Sequence, residues 1–164
     1  MLVAFLESFK YVGHLYPMVF LRVFIGWFYL SQALKKYSGD YLFQPRLSEQ
    51  LSEWLAKAGP SLVEYKAFIE EFVIPYPNWV VFSYGITGLE FLVAISYLTG
   101  FLVRPTALFA AFLSFNMSII MSGPNQEPFH LTLFVIHLAM AWLGGGRCFG
   151  LDYYFYKRQR GLWW

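Results

Sequence analysis

Four polar side chains stand inside otherwise apolar stretches of this sequence, and their chemistry raises the question of function. Glu90 lies in the apolar segment 80–98, and Arg22, Asn116 and His137 lie in three others. A charged group at the centre of a membrane helix costs about 2.5–3.5 kcal/mol on insertion scales, so it usually faces the bundle interior and has a partner. A carboxyl group and an imidazole at such a depth are suited to proton transfer.

We predict that Glu90 forms an ion pair with Arg22 and that a helical bundle closes around this pair. Gly26 shares a helical face with Arg22 and would admit a close neighbour. The alternative for Arg22 is a snorkelling side chain that reaches the lipid headgroups. Helical spacing places small and polar residues around Glu90 on one stripe: Ser83, Thr87, Glu90, Ala94 and Tyr97.

His137 is the second candidate for a working group, and a satisfied structural hydrogen-bond donor is the alternative. His130 and His137 are seven residues apart and therefore share a face, but two helical turns separate them by about 10 Å. That distance is too long for one shared metal ion, and the sequence does not support haem ligation by two histidines. Asn116 favours a hydrogen bond between helices, and a ligand contact is the alternative.

The elements that position these groups are membrane helices. The chain is 58% hydrophobic and 13% charged, with a mean hydropathy of +0.48, whereas average proteins are about 25% charged. We predict an all-α membrane protein with a single domain over 1–164, a bundle of four transmembrane helices at about 17–34, 77–98, 105–121 and 129–143. The polar section 35–76 is predicted to form an amphipathic helical insertion between the first two helices, folded over one mouth of the bundle.

Charge and cysteine content exclude several functions and set the predicted orientation. The net charge of +2 is small and the basic residues are spread out, so no nucleic-acid partner is expected. A single cysteine, Cys148, excludes disulfide chemistry within this chain. Four crossings place both termini on one side, which carries six basic residues against five on the other. We therefore predict a cytoplasmic (inner) membrane protein with both termini in the cytoplasm and an extracytoplasmic 35–76 section.

Three stretches resemble the DoxX/DoxD family of four-helix membrane proteins: LRVFIGWFYLSQALKK (21–36), GLEFLVAISYLTGFLVRPTAL (88–108) and GGGRCFGLD (144–152). The long first loop with PYPNW is more similar to the DoxD branch. This resemblance implies a membrane subunit that passes electrons from thiosulfate to quinone together with a second protein subunit. Quinone would be the acceptor substrate, homo-oligomers are possible, and the sequence contains no haem, flavin or iron–sulfur motif.

On this basis we predict a buried site in which Glu90 relays protons, Arg22 is its charge partner and His137 donates to a quinone carbonyl. Tyr97, Trp27 and Asn116 are the candidates for contacts with the quinone. Two rival hypotheses remain open. The chain could be a non-catalytic structural or assembly subunit of a larger complex, in which Arg22 and Glu90 only clamp the bundle, or, less favoured, a small-molecule carrier.

Overall fold

The computed structural model describes residues 10–59, 63–121 and 128–158, and these residues form helices and turns without any strand. We number the helices in chain order within these residues. The long ones are α1 (Tyr16–Ser38), α4 (Asn78–Thr99), α5 (Val103–Ile120) and α6 (Phe129–Leu143). The shorter ones are α2 (Arg46–Lys57), α3 (Val63–Phe68) and α7 (Leu151–Arg158).

Three of these helices are long and apolar enough to cross a membrane: α1 with the turn before it (Lys10–Ser38), α4 and α5. Helix α6 is apolar but shorter, at 15 residues. The first helix extends four residues beyond its predicted end at Leu34, because nothing interrupts it before Gly39. Lys35 and Lys36 therefore lie in the last turn of α1 and not in a separate element of the section 35–76.

Helices α1 and α4 approach closely at Gly26. A Cβ atom at this position would lie 3.0 Å from Cβ of Tyr97 and 3.2 Å from the backbone nitrogen of Leu98. The absence of a side chain thus lets the two backbones come together, as expected from the sequence. Helix α5 packs mainly on α6 and also contacts α4. The buried core of these helices consists of Ile25, Tyr29, Val93, Ala94, Tyr97, Val103, Ala107, Ala110 and Met140.

The section between α1 and α4 packs against one end of the long helices. Leu47, Leu51 and Leu55 recur along one face of α2 and are buried, as the spacing of an amphipathic helix requires. They form a second apolar cluster with Ile69 and Val73 of the following π-helical turn and with Ile120 of α5. This cluster holds α2 across the ends of α4 and α5. Helix α2 there covers the cavity described below.

Candidate functional site

Glu90 forms its ion pair with Lys36, not with Arg22. The Nζ atom of Lys36 lies 2.6 Å from Oε1 of Glu90, and the two side chains are 21% and 12% exposed. The predicted ion pair between Arg22 and Glu90 is therefore wrong. The pair that does form joins the last turn of α1 to the middle of α4.

The antiparallel register of α1 and α4 explains this outcome. A Cβ atom on Gly100 would lie 2.7 Å from Nη1 of Arg22, so Arg22 is level with the end of α4. Glu90 precedes Gly100 by ten residues, which corresponds to about 15 Å along a helix axis. An arginine side chain cannot span that distance, whereas Lys36, nearly four turns beyond Arg22, is at the level of Glu90.

Arg22 instead binds the loop between α6 and α7. Its guanidinium donates to the carbonyl oxygens of Gly145 (2.8 Å), Cys148 (3.2 Å) and Phe149 (2.9 Å). The residue is only 1% exposed, so it does not snorkel to the headgroups either. Arg22 therefore has a structural position, in which the charge is compensated by three backbone carbonyls.

Asp152 fixes the other side of the same loop. Its two carboxylate oxygens accept hydrogen bonds from the backbone N–H groups of Leu102 (2.7 Å) and Val103 (3.1 Å) at the start of α5. A carboxylate at a helix N-terminus satisfies N–H groups that have no partner within the helix. Burial raises the pKa of Asp152, although these two hydrogen bonds act in the opposite direction. Arg22 and Asp152 together attach the segment after α6 to α1 and α5.

His137 is fully buried between two tyrosines. Its Nε2 atom lies 2.9 Å from the hydroxyl of Tyr29, and its Nδ1 atom lies 2.7 Å from the hydroxyl of Tyr97. The Tyr29 hydroxyl is also 3.5 Å from Oγ of Ser114. Both ring nitrogens of His137 are thus occupied, so the imidazole has no free nitrogen for direct contact with a ligand.

A cavity of about 470 Å³ opens beside these groups, under α2. Its polar lining consists of Tyr29, Gln32, Lys35, Lys36, Tyr41, Gln50, Glu90, Ser114 and His130. Its apolar lining consists of Phe28, Trp54, Ile86, Leu113, Met117, Phe129 and Leu133. A concave, mostly apolar space with a few convergent polar groups is typical of a small-molecule site.

The charges in the cavity are incompletely paired. The second carboxylate oxygen of Glu90, Oε2, is buried and has no hydrogen-bond partner among the described residues. A buried polar atom of this kind is expected to bind water or a ligand.

The ammonium group of Lys36 also lies 5.1 Å from the ring centre of Tyr41. Burial, assisted by the charge of Glu90, raises the pKa of Tyr41 to about 12, so this phenol remains protonated at neutral pH.

The remaining sequence candidates lie away from the cavity. Trp27, which was predicted to contact the quinone, is 63% exposed and does not line this cavity. Tyr97 is buried behind His137 and does not line the cavity. Asn116 accepts a hydrogen bond of 2.6 Å from the Tyr65 hydroxyl and donates to the carbonyl of Phe112. It therefore connects α5 to α3, in accord with a hydrogen bond between helices.

Sequence reasoning missed Tyr29 and Lys36, although a signal for both was present. Arg22, Gly26, Tyr29 and Ala33 follow each other at steps of four, three and four residues and are all buried on α1. Lys36 continues the same stripe three residues later. The helical spacing that places small and polar residues beside Glu90 on α4 therefore also places Tyr29 and Lys36 on the same face of α1 as Arg22.

Within the described residues, no three His, Cys, Asp or Glu side chains are grouped so that they could hold a metal ion.

Comparison with known families gives one assignment. Searches of curated proteins and of solved structures give no significant match. Residues 16–162 match the sequence model of the DoxD family. This family is described as the TQO small subunit DoxD, and TQO denotes thiosulfate:quinone oxidoreductase. This match covers nearly the whole chain, which therefore belongs to the DoxD family.

Proposed function

We propose that this chain is a membrane subunit of a thiosulfate:quinone oxidoreductase and that the quinone headgroup binds in the cavity under α2. The family supports the reaction class. The observation that supports this location is the cavity itself, in which Glu90, Lys36 and Tyr29 lie among aromatic and aliphatic side chains. A quinone requires an apolar slot for its ring and hydrogen-bond donors for its two carbonyl oxygens.

In this proposal the chain is a single membrane domain in the cytoplasmic membrane, and α1, α4, α5 and α6 all cross the bilayer. Helix α6 has 15 residues and is about 22 Å long, so the membrane around it thins or its ends are covered by protein. Both termini face the cytoplasm. The α2 side faces outward and binds the second protein subunit. Copies of the chain can also associate with each other.

Quinone reduction consumes two electrons and two protons and yields one quinol. Thiosulfate, which is oxidised, supplies the electrons, and the protons must come through groups at the cavity wall. Lys36 holds Oε1 of Glu90, while Oε2 of Glu90 has no partner among the described residues and is available to carry a proton to the ring oxygen. Lys36 thus takes the role of charge partner that the sequence suggested for Arg22.

Tyr29 is the direct carbonyl donor in this proposal, and His137 supports it from behind. The hydroxyl of Tyr29 belongs to a cavity-lining residue, whereas both nitrogens of His137 already contact tyrosines. Trp27 and Asn116 have no role in the proposed site because their side chains lie elsewhere. The site therefore consists of Glu90, Lys36 and Tyr29.

The isoprenoid tail of the quinone leaves the cavity between α1 and α6. Phe28 of α1 and Phe129 of α6 both line the cavity, and their ring centres are 5.8 Å apart. Phe129 is also 48% exposed, and we propose that these two rings separate the cavity from the surrounding lipid. Passage between them would allow a membrane-dissolved quinone to enter sideways.

The test compares Glu90→Gln with a matched surface control, Glu53→Gln. Glu53 also pairs with a lysine, but it is 62% exposed on α2. Protein purified with its co-purifying subunits is assayed with thiosulfate and a short-tailed quinone analogue, and turnover is divided by the amount of folded protein. We expect Glu90→Gln to reduce turnover by about 10²–10⁴-fold, the usual contribution of an acid–base group. Glu53 does not line the cavity, so Glu53→Gln should leave turnover per assembled complex unchanged, even if it alters how much of the second subunit is bound.

A structural subunit without chemistry is the second candidate function. The Lys36–Glu90 pair, which joins α1 to α4, favours it because a buried pair also serves as a clamp. In that case Glu90→Gln would reduce the yield of folded protein, while turnover per folded molecule in the assembled complex would equal the wild-type value. That result would reject the quinone site.

A further inference from the structure

Tyr97, His137 and Tyr29 form a series of hydrogen bonds, and the positions of the heavy atoms determine which group donates at each step. A neutral imidazole carries one N–H donor and one acceptor nitrogen, and which nitrogen holds the proton follows from its partners. His137 has a tyrosine hydroxyl at each nitrogen, 2.7 Å from Nδ1 and 2.9 Å from Nε2. Two neutral arrangements are therefore possible, and they differ in which hydroxyl donates.

In the first arrangement the proton is on Nε2. The Tyr97 hydroxyl donates to Nδ1, the Nε2–H group donates to the Tyr29 oxygen, and the Tyr29 proton is directed elsewhere. Its only other partner among the described residues is Ser114, at 3.5 Å, which is longer than an ordinary O–H···O hydrogen bond. Because Tyr29 lines the cavity, its proton is available to a molecule bound there.

In the second arrangement the proton is on Nδ1 and donates to the Tyr97 oxygen. The Tyr97 proton then has no acceptor within the described part of the chain, and Tyr97 is 0% exposed. Leaving a buried donor unpaired incurs its full desolvation penalty. A doubly protonated ring would leave the same donor unpaired and add a buried charge. In the first arrangement the donor without a close protein acceptor is the Tyr29 hydroxyl, which lines the cavity and can donate to water or to a molecule bound there, whereas Tyr97 does not line the cavity. The first arrangement is therefore favoured.

We propose that Tyr97 holds His137 in its neutral Nε2–H form and that His137 thereby directs the Tyr29 O–H into the cavity. Tyr97 and His137 are positioning residues, because both act on a bound molecule through Tyr29. The inference rests on the proposed function only for the identity of that molecule, a quinone whose carbonyl oxygen accepts the proton. A ligand that presents a hydrogen-bond acceptor is thus favoured over one that presents a donor at this point.

The first test is the tautomer itself, measured by ¹⁵N NMR on detergent-solubilised protein with labelled histidine. The signals of His137 are identified as those that disappear in His137→Gln. We expect a protonated Nε2 and an unprotonated Nδ1. A protonated Nδ1 would overturn the inference whatever the enzymatic activity, and this measurement needs no variant of the two tyrosines.

The second test removes only the hydroxyl that fixes the tautomer. Tyr97→Phe should produce a mixture of both tautomers, because Nδ1 no longer receives a hydrogen bond. Tyr84→Phe, at a tyrosine that is 48% exposed on the same helix, is the matched control and should retain the single form. A single unchanged tautomer in Tyr97→Phe would overturn the role of Tyr97.

Quinone kinetics separate this inference from the proposed function. Tyr29→Phe should raise KM for a quinone analogue about tenfold, the upper value for loss of one neutral hydrogen bond. If the tautomer is as expected but Tyr29→Phe leaves KM unchanged, the hydrogen-bond order is correct and the quinone site is wrong. If Nδ1 is protonated while Tyr29→Phe raises KM, the site is correct and the directing role of His137 is wrong.

Discussion

Replacement of Arg22 by methionine tests how the end of the chain is attached to the bundle. Methionine keeps an unbranched apolar side chain but removes the guanidinium and its three hydrogen bonds to carbonyl oxygens of the loop after α6. The loss leaves acceptors at Gly145, Cys148 and Phe149 without their donor in a site where Arg22 is 1% exposed. We expect a large decrease in the free energy of unfolding.

The magnitude follows from opposing contributions. Hydrogen bonds to a charged group contribute about 1.5–3 kcal/mol each, and Arg22 makes three. Removal of the guanidinium also eliminates the desolvation penalty of a buried ion, which is several kcal/mol. Each of the three carbonyl oxygens left without its donor in this buried site costs about 1–3 kcal/mol. We therefore expect Arg22→Met to lower the free energy of unfolding by about 3–5 kcal/mol.

Reversible unfolding in mixed detergent micelles, followed by circular dichroism, measures this difference. The matched control is Arg46→Met, at a residue that is 53% exposed and 3.7 Å from Glu49. An exposed pair of this kind contributes about 0–1 kcal/mol, so the control should unfold almost as the wild type does. A decrease below about 1 kcal/mol for Arg22→Met would refute the reasoning from buried carbonyl contacts.

The same experiment distinguishes the observed contacts of Arg22 from an ion pair with Glu90. The two residues are separated by about 15 Å along the bundle, and the effects of distant substitutions add within about 0.5 kcal/mol. The double variant Arg22→Met, Glu90→Gln should therefore lose the sum of the two single effects. A coupling of more than about 1 kcal/mol would restore the pairing that the sequence suggested.

Three further predictions follow from the packing. Gly26→Ala should lower the free energy of unfolding by about 1–3 kcal/mol, because the new Cβ would lie 3.0 Å from that of Tyr97; Gly88→Ala, with open space around it, should not, and equal unfolding curves would contradict the close approach. Because burial raises the pKa of the Cys148 thiol, alkylation by N-ethylmaleimide should be slow at neutral pH and faster as pH rises; rapid labelling of folded protein would disprove its burial. Phe28→Ala should change KM for long-tailed quinones more than for short-tailed ones, and an equal change in steady-state kinetics would rule out the proposed tail exit.

The helices could be predicted from the sequence because lipid imposes a simple pattern. Long apolar segments bounded by glycine and proline determined α4, α5 and α6 within about two residues at each end. The family assignment also followed from three stretches, 21–36 in the first helix, 88–108 across α4 and α5, and 144–152 after α6. The end of α1 was placed too early because two consecutive lysines resemble a loop, although lysine forms helices well.

The partners of the buried charges could not be predicted from each helix alone. The predicted pairing of Glu90 with Arg22 rested on approximate depths of the two residues in the membrane. The close approach at Gly26 instead fixes the register of α1 and α4 to within one residue. Residues 144–150 of the loop after α6 also include no acidic side chain that would signal a contact with Arg22. Backbone acceptors have no signature in a sequence, so this contact was invisible before the fold was known.

The bond between Arg22 and the loop after α6 has a consequence for biosynthesis. Its acceptors follow it by 123 to 127 residues, and ribosomes add about 5–20 residues per second. The guanidinium therefore waits about 6–25 s for its permanent acceptors while the ribosome synthesises the intervening helices. During that interval the translocon, a chaperone or the lipid headgroups must accommodate the charge. A chain that terminates before Gly145 never completes this contact, so membrane quality control would encounter its first helix as an unassembled one.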